Sequence, residues 1–277
     1  MKLNLRVAPA VLSALIVALA TSGGQAAPVS TWRTFKASPA TVISGETTND
    51  PIVGTTATTA QASRIIGYFT PQSLLFPGDK IILTFNVSFA DAVGTSSAQD
   101  NFRFALFDRN GEAIEPTLNT AAVGSTNTDD FRGYLVGVDS NTGAPQGSVR
   151  ERVNSGSVDT FAAATAASLG GANTGTDVTL DDGPTYTGVM TLLRTPTGVD
   201  ITASFVGNGG ANAFAVTDTT PVTTFGAVGF LNGGPLNTDQ VLLQDVDVSR
   251  VPIPEPATWM LGIGSLVGCA LVRRRRR

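Results

Sequence analysis

Ile81-Ile82-Leu83-Thr84-Phe85-Asn86-Val87-Ser88-Phe89 alternates apolar and polar side chains over nearly its whole length. Ile81, Leu83, Phe85, Val87 and Phe89 fall on one side of an extended chain, and Thr84, Asn86 and Ser88 on the other. Successive side chains of a strand point to opposite faces, so this period of two predicts a strand with one face in a core and one in water. Phe102, Phe104 and Leu106 repeat the pattern, and Asn110-Gly111 then supplies the positive-φ pair that a tight hairpin turn needs. Further strands are predicted at Arg64–Phe69, Phe131–Val138, Thr187–Arg194, Val199–Val206, Thr224–Leu231 and Val241–Val248. Turn signals punctuate them: Pro77-Gly78-Asp79, Asp182-Gly183-Pro184, Pro196-Thr197-Gly198, Gly207-Asn208-Gly209-Gly210 and Asn232-Gly233-Gly234-Pro235.

Many short strands rich in Val, Thr and Phe and broken by Gly predict an all-β, antiparallel β-sandwich rather than alternating βαβ units. One short helix is predicted, with Asp159 capping Thr160–Ser168 and Gly170 closing it in left-handed geometry. Residues 47–62 and 170–176, rich in Thr, Gly and Ala, read as loops. Residues 27–251 are long enough for one large sandwich domain, and two domains are not required.

Composition excludes several functions. The chain has no histidine, which removes the commonest general base, the usual Zn²⁺ ligand and every His-dependent triad. Its single cysteine, Cys269, lies in the apolar tail, so the body holds no disulfide. The net charge of −4 conceals an asymmetry, because Lys2, Arg6 and Arg273–Arg277 lie at the two ends. Without them 11 cations face 21 acids, once Glu255 is set with the tail. Such an acidic body is a poor nucleic-acid binder and suits solubility or cation binding.

Both ends carry addresses. Lys2 and Arg6 form a positive n-region, residues 7–20 an apolar h-region, and Gly24-Gln25-Ala26 offers small residues to a signal peptidase. Residues 1–26 are therefore expected to be a signal peptide cut after Ala26, with Ala18-Leu19-Ala20 as a second site. At the other end, Val251-Pro252-Ile253-Pro254-Glu255-Pro256 stops regular structure, because Pro lacks a donor N–H and drives its predecessor to extended geometry. An uncharged run, residues 257–272, follows, and then Arg273, Arg274, Arg275, Arg276 and Arg277. Sixteen helical residues reach about 24 Å against a hydrocarbon core of ~30 Å, so Trp259 and the snorkelling arginines are expected to complete a transmembrane helix with a cytoplasmic basic end.

This order of Pro254-Glu255-Pro256, apolar helix and arginine cluster resembles the PEP-CTERM sorting signal of Gram-negative surface proteins, over residues 252–277. The resemblance implies recognition of Pro254, Glu255 and Pro256 by an exosortase, a membrane-embedded cysteine protease and transpeptidase that cuts near the motif. It also implies transient anchoring in the inner membrane, removal of the tail and delivery to the cell surface or extracellular matrix.

The order Tyr186–Arg194, Thr195-Pro196-Thr197-Gly198, Val199–Val206, Phe225–Phe230 and Leu242–Val248 resembles the second half of a concanavalin A-like lectin or glucanase jelly roll. An immunoglobulin-like sandwich would leave too many residues unassigned. The concanavalin A-like resemblance implies either polysaccharide binding or cleavage. A retaining glucanase needs two carboxylates roughly 5 to 5.5 Å apart, and Asp245 and Asp247 share a strand face by the period-two rule. The family's Glu-x-Asp-x-x-Glu pattern is missing here, so a solvent-facing strand is the expectation. A lyase would set Arg150-Glu151-Arg152 with Tyr134 or Tyr186 against a uronate, but lyases of this fold also use a histidine. The expectation is therefore a non-enzymatic, exported protein with no catalytic residue, with a carbohydrate-active enzyme as the alternative. Tyr68, Tyr134 and Tyr186 are the candidates for stacking on sugar rings. No cofactor or metal site is assigned. Ca²⁺ is the one ion for which Asp129-Asp130, Asp181-Asp182 or Asn237 with Asp239 could supply loop oxygens.

Overall fold

The computed structural model describes residues 24–36, 41–55, 63–90, 102–114, 128–138, 147–153, 161, 166–171, 173–176, 178–233, 238 and 240–253. The expected signal-peptide core, the membrane helix and the arginine cluster lie outside these. Among the described residues no helix is long and apolar enough to cross a membrane.

The described chain forms β1 (Gln25–Ala26), β2 (Thr31–Lys36), β3 (Thr41–Ser44), β4 (Ile52–Thr55), β5 (Ser63–Ser73), β6 (Lys80–Ala90), β7 (Phe102–Asp108) and β8 (Arg132–Val138). There follow β9 (Val149–Arg152), β10 (Ala166–Gly170), β11 (Thr185–Arg194), β12 (Val199–Gly207), β13 (Gly210–Asp218), β14 (Thr224–Asn232) and β15 (Gln240–Val251). They make two sheets. Sheet I runs β13-β12-β11-β6-β15-β4-β3, with β1 also on β15, and sheet II runs β10-β9-β8-β7-β14-β5-β2. Pairing within both is antiparallel, as the alternating segments require.

The opening segment is the centre of sheet I. In β6 the residues Ile81, Leu83, Phe85, Val87 and Phe89 are each at most 1 % exposed, while the outward residues are half-buried or exposed. Phe85 meets Phe104 and Phe230 of sheet II edge-on, at 5.1 and 4.8 Å between ring centroids. Such edge contacts add about 0.5–1.5 kcal/mol each beyond the area they bury. The aromatic core therefore joins the sheets at β6, β7 and β14.

Sheet II differs in that its central strands bury both faces. Behind it lies a second apolar cluster of Ile66, Tyr68, Ala105, Phe107, Phe131, Leu135, Phe161, Ala166, Ala227 and Leu231. Phe131 and Phe161 lie outside the strands and pack on Phe107, at 5.8 and 5.6 Å. Arg152, fully buried on this side, donates from Nε to the Phe131 carbonyl at 2.7 Å and from Nη2 to those of Asp129 and Thr128 at 3.0 and 3.3 Å. It ties the segment before β8 onto the sheet.

Several expectations need correction. The predicted helix fails where it can be seen: Ala166–Ser168 belong to β10 and pair with Glu151 and its neighbours, because an extended Ala-rich chain completes the edge of sheet II. Gly170 does take left-handed geometry (φ 85°), but at the end of a strand. The loop expected over residues 47–62 contains β4, whose Val53 is buried in the core. Asn110 and Gly111 have the positive φ expected (51° and 90°), and Glu112 N–H closes the turn on Arg109. They do not join adjacent hairpin strands, since β8 begins only at Arg132. The true two-residue turn is Asn208-Gly209, between the paired Gly207 and Gly210.

Candidate functional site

At the end of sheet II where β7 finishes and β8 begins, the inward faces run out of apolar residues. Phe104 and Leu106 of β7 lie in the central core, and Asp108 follows two residues later on the same face. Arg132 precedes Tyr134 in the same way on β8, and Glu151 of β9 pairs with Tyr134. These three charged residues and Val153 line one wall of a cleft of about 550 Å³, and Thr220-Pro221-Val222-Thr223-Thr224 forms the other.

The second wall is fixed by a buried acid. Asp218 ends β13 on the inner face, 4 % exposed, and accepts a hydrogen bond from the fully buried Tyr134 hydroxyl at 2.7 Å. Its other oxygen accepts from the Thr220 N–H and hydroxyl at 2.8 and 3.3 Å, and the Val222 N–H donates to the Tyr134 oxygen at 3.1 Å. The loop from β13 to β14 is thus strapped to sheet II through one phenol. Burial, reinforced by the hydrogen bond to Asp218 and the negative charges of Asp218 and Glu151, pushes the Tyr134 phenol far above its usual value of 10. It stays protonated and cannot act as a base.

Glu151 sits at the cleft wall. Burial, helped by the charge of Asp218, pushes its carboxyl above the usual 4.5, and Arg132 opposes this only in part. Arg132 is committed elsewhere: its Nη2 lies 3.2 Å from an Asp108 carboxylate oxygen and donates to Asn110 Oδ1 at 2.8 Å. The cleft therefore offers one half-buried carboxyl, one ion-paired carboxylate, a guanidinium and a row of threonines. Such a set can hold hydroxyl-rich ligands through directional hydrogen bonds.

An acidic group lies in the loops that follow Asp108 and precede Arg132. One carboxylate oxygen each of Glu112, Asp129 and Asp130 lies within 4.8 Å of the others, and all three residues are half-buried. Hard oxygen donors at this spacing fit Ca²⁺, which takes 6–8 oxygens and fills the remainder with water and carbonyls. Arg109 Nη1 donates to the Glu112 carbonyl at 3.0 Å and, together with Arg152, holds the two loops that bring the acids together.

The residues expected from sequence are distributed otherwise. Tyr68, Tyr134 and Tyr186 are each at most 1 % exposed, so none offers a ring face to a sugar. Tyr68 lies in the second core with the Arg109 guanidinium 5.9 Å from its ring centre. Tyr186 stacks on Phe205 at 5.5 Å, donates its hydroxyl to the Thr179 carbonyl and accepts from Asp181 N–H, both at 2.7 Å. All three are hydrophobic anchors with buried rings.

Asp245 and Asp247 lie on the solvent side of sheet I, on either side of Val246. A bulge at Gln244–Asp247 leaves Asp245 with φ 52°, and Asp245 accepts from Asn86 Nδ2 at 3.1 Å. Asn86 in turn accepts from Thr187, giving a polar row across three strands.

The lyase grouping is split by alternation. Glu151 faces the cleft, Arg152 is buried on the opposite side, and Arg150 Nε donates to Ser148 at 3.0 Å. Of the acidic pairs, Asp129-Asp130 belong to the acidic group described above, and Asp181-Asp182 form a turn joined to Tyr186 and Phe89. Asn237 and Asp239 lie outside the described residues, as do Pro254, Glu255, Pro256 and Arg273–Arg277. Ala26, the expected cleavage residue, pairs with Ser249 in β1.

Sequence reasoning missed Asp108, Arg132, Asp218 and the loop 220–224. The one available signal was Asp218-Thr219-Thr220-Pro221, where an Asp two residues before a backbone donor favours an Asx turn.

Fold and site define a two-sheet antiparallel sandwich with a polar cleft at one end. Its C-terminal residues 252–277 match the PEP-CTERM protein-sorting motif. No curated protein matches the sequence. Among solved structures the chain is similar to peanut lectin with a 9mer peptide, at 12 % identity and a TM-score of 0.46, covering 82 % of this chain and 93 % of that one. It is also similar to the VIP36 exoplasmic/lumenal domain in its Ca²⁺/Man3GlcNAc-bound form, at 13 % identity and a TM-score of 0.43, over 85 % and 90 % of the chains. A third is basic winged bean lectin with Tn-antigen, at 12 % identity and a TM-score of 0.44, over 84 % and 99 %.

Proposed function

We propose that this protein is exported, held briefly in the inner membrane of a Gram-negative bacterium by its C-terminal segment, and released by an exosortase to the cell surface or matrix. There it binds polysaccharide without cleaving it. The sorting motif at residues 252–277 supports the route. The observation that supports binding is the cleft of Asp108, Arg132, Glu151 and Thr220–Thr224, whose polar groups converge on a space wide enough for sugar residues.

Net charge gives the class of ligand. Two carboxyls in the cleft and Asp218 behind it outnumber Arg132, so neutral, hydroxyl-rich glycans are favoured over polyuronates. Ca²⁺ at Glu112, Asp129 and Asp130 would brace the loops that follow Asp108 and precede Arg132. The test is a glycan array probed with mature protein recovered from the cell surface, with and without Ca²⁺. Binding of neutral glycans without release of reducing ends supports the reading, and no binding in either condition refutes it.

One observation favours a second reading. Glu151, with its raised pKa, shares the cleft with the ion-paired Asp108, and two carboxyls in contrasting environments are what a glycoside hydrolase uses as acid and partner. Turnover of a bound glycan that disappears in Glu151→Gln would establish it.

A further inference from the structure

The sandwich grips its own C-terminal exit. Asp79, 0 % exposed in the turn between β5 and β6, uses both carboxylate oxygens. Oδ2 accepts from Leu75 and Phe76 N–H at 3.0 and 3.2 Å and from Arg250 Nη2 at 2.8 Å, while Oδ1 accepts from Ile253 N–H at 3.0 Å. The turn is itself anchored, since Arg194 N–H donates to the Asp79 carbonyl at 2.9 Å and Gly78 N–H to that of Arg194 at 2.7 Å. Gly78 has φ 98°, and a Cβ there would lie 2.0 Å from Ile253 Cδ1, so the isoleucine side chain lies across the glycine. β15 pairs with β6 up to Val251↔Lys80. The hold on the backbone therefore continues two residues past the last strand, to Ile253.

We propose that this Asp79 clamp sets the processing boundary: the exporting protease cuts only C-terminal to Ile253, and the mature protein retains Ile253. The inference rests on the reading of residues 252–277 as a processed sorting signal. A protease needs several residues of extended, free backbone, and Val251–Ile253 become free only when the clamp opens. Removing Ile253 would leave an oxygen of a buried carboxylate without its donor, which is costly. In the step itself, a backbone amide beyond Ile253 breaks. Its acyl carbon passes to water or an acceptor amine, and its nitrogen leaves protonated as the new amino terminus of the tail.

The experiment uses the full chain in detergent, digested with a low-specificity protease, with product ends read by intact mass. Wild type is expected to give a body ending at Ile253 or beyond. In Asp79→Asn, cuts before Ile253 should rise about tenfold, because cleavage follows the population of the opened segment. Ile253→Gly, which keeps the N–H and all of Asp79's other partners, should give a smaller rise in the same direction if Asp79→Asn fails to fold. Wild-type cutting before Ile253, or ends unchanged in the folded variants, overturns the clamp. In cells, a surface form ending at Pro252 or earlier also overturns it. A surface form still ending at Arg277 overturns the reading of a processed tail, and the clamp then stands or falls on the digestion.

Discussion

The two sheets solve different problems with similar strands. Sheet I buries one face and shows water a polar row of Thr84, Asn86, Ser88, Thr187 and Asp245, in which Asn86 links Thr187 to Asp245 across β6, β11 and β15. Sheet II buries both faces of its central strands, and in β14 every residue from Phe225 to Asn232 is buried. A face already covered by loops can position them. The second core and Arg152 hold the segment before β8, while Tyr134 and Asp218 hold the loop after β13, and the cleft opens between these two. On the outer face of sheet I, Asp245 is exposed and Asp247 half-buried. The difference teaches that a sheet covered on its outer side can place loops around a cleft, and that cleft is the binding site proposed above.

The largest effect should come from the second core. Phe107→Ala removes a ring that contacts both Phe131 and Phe161, and should cost about 3–5 kcal/mol in urea unfolding, as for other buried aromatics. An equal loss from an outward residue of sheet I, such as Thr191→Ala, would erase the distinction between the sheets. Next is Arg152→Met, which takes the guanidinium donor from the Phe131, Asp129 and Thr128 carbonyls, of which Thr128 keeps the Phe131 N–H, and should cost about 1–3 kcal/mol. The same variant should weaken any stabilisation by Ca²⁺ in thermal melts, because Asp129 and Asp130 lose their support.

Acid titration separates cleft from clamp. Burial raises the Asp79 pKa, but Arg250 and the N–H groups of Ile253, Phe76 and Leu75 outweigh it and hold the carboxyl below its usual 3.8. A depressed folded value means that stability is present above the unfolded pKa and lost as pH falls through the folded one. Glu151 runs the other way, because its folded pKa is raised. Its contribution is complete below the unfolded value near 4.5 and is lost as pH rises through the folded value. Asp79→Asn should therefore flatten the acid limb of Tm against pH. Glu151→Gln should raise Tm near pH 7 and leave it unchanged at pH 3. Identical pH profiles for the two variants would contradict the assigned environments.

The smallest effects should come from Asp245→Asn and Asp247→Asn, each within about 0.5 kcal/mol of wild type by urea unfolding, as for other solvent-facing substitutions. Asn also tolerates the left-handed backbone at 245.

Four strands of each sheet are legible in the sequence, and β6, β11, β12 and β15 most directly, because each shows water one face and periodicity marks it. The strands missed carry weaker patterns. In β13 the inward positions include Gly210, Asn212 and Asp218, whose burial depends on partners far along the chain. Asn212 donates to the Thr176 carbonyl, and Asp218 accepts from Tyr134. Residues 160–168 read as helix because Ala favours helices locally, while the pairing of Ala166–Ser168 with β9 decides the matter. The tyrosines misled because a ring with a polar tip serves a surface or a core edge equally well. The cleft was hidden because its walls come from β7, β8, β9 and the loop after β13, and only the fold brings Arg132 and Glu151 opposite Thr220–Thr224. The tail was the opposite case, since its three parts are contiguous and match the sorting motif over residues 252–277.

The central claim is that the doubly buried sheet carries the binding site, and glycan binding by four variants of the mature protein tests it most directly. Arg132→Ala and Glu151→Gln should lower affinity for a bound neutral glycan at least about tenfold, the loss of one or two good hydrogen bonds. Asp245→Asn and Asp247→Asn should leave it unchanged. Binding that survives both cleft variants and fails in the outer-face pair would contradict the account.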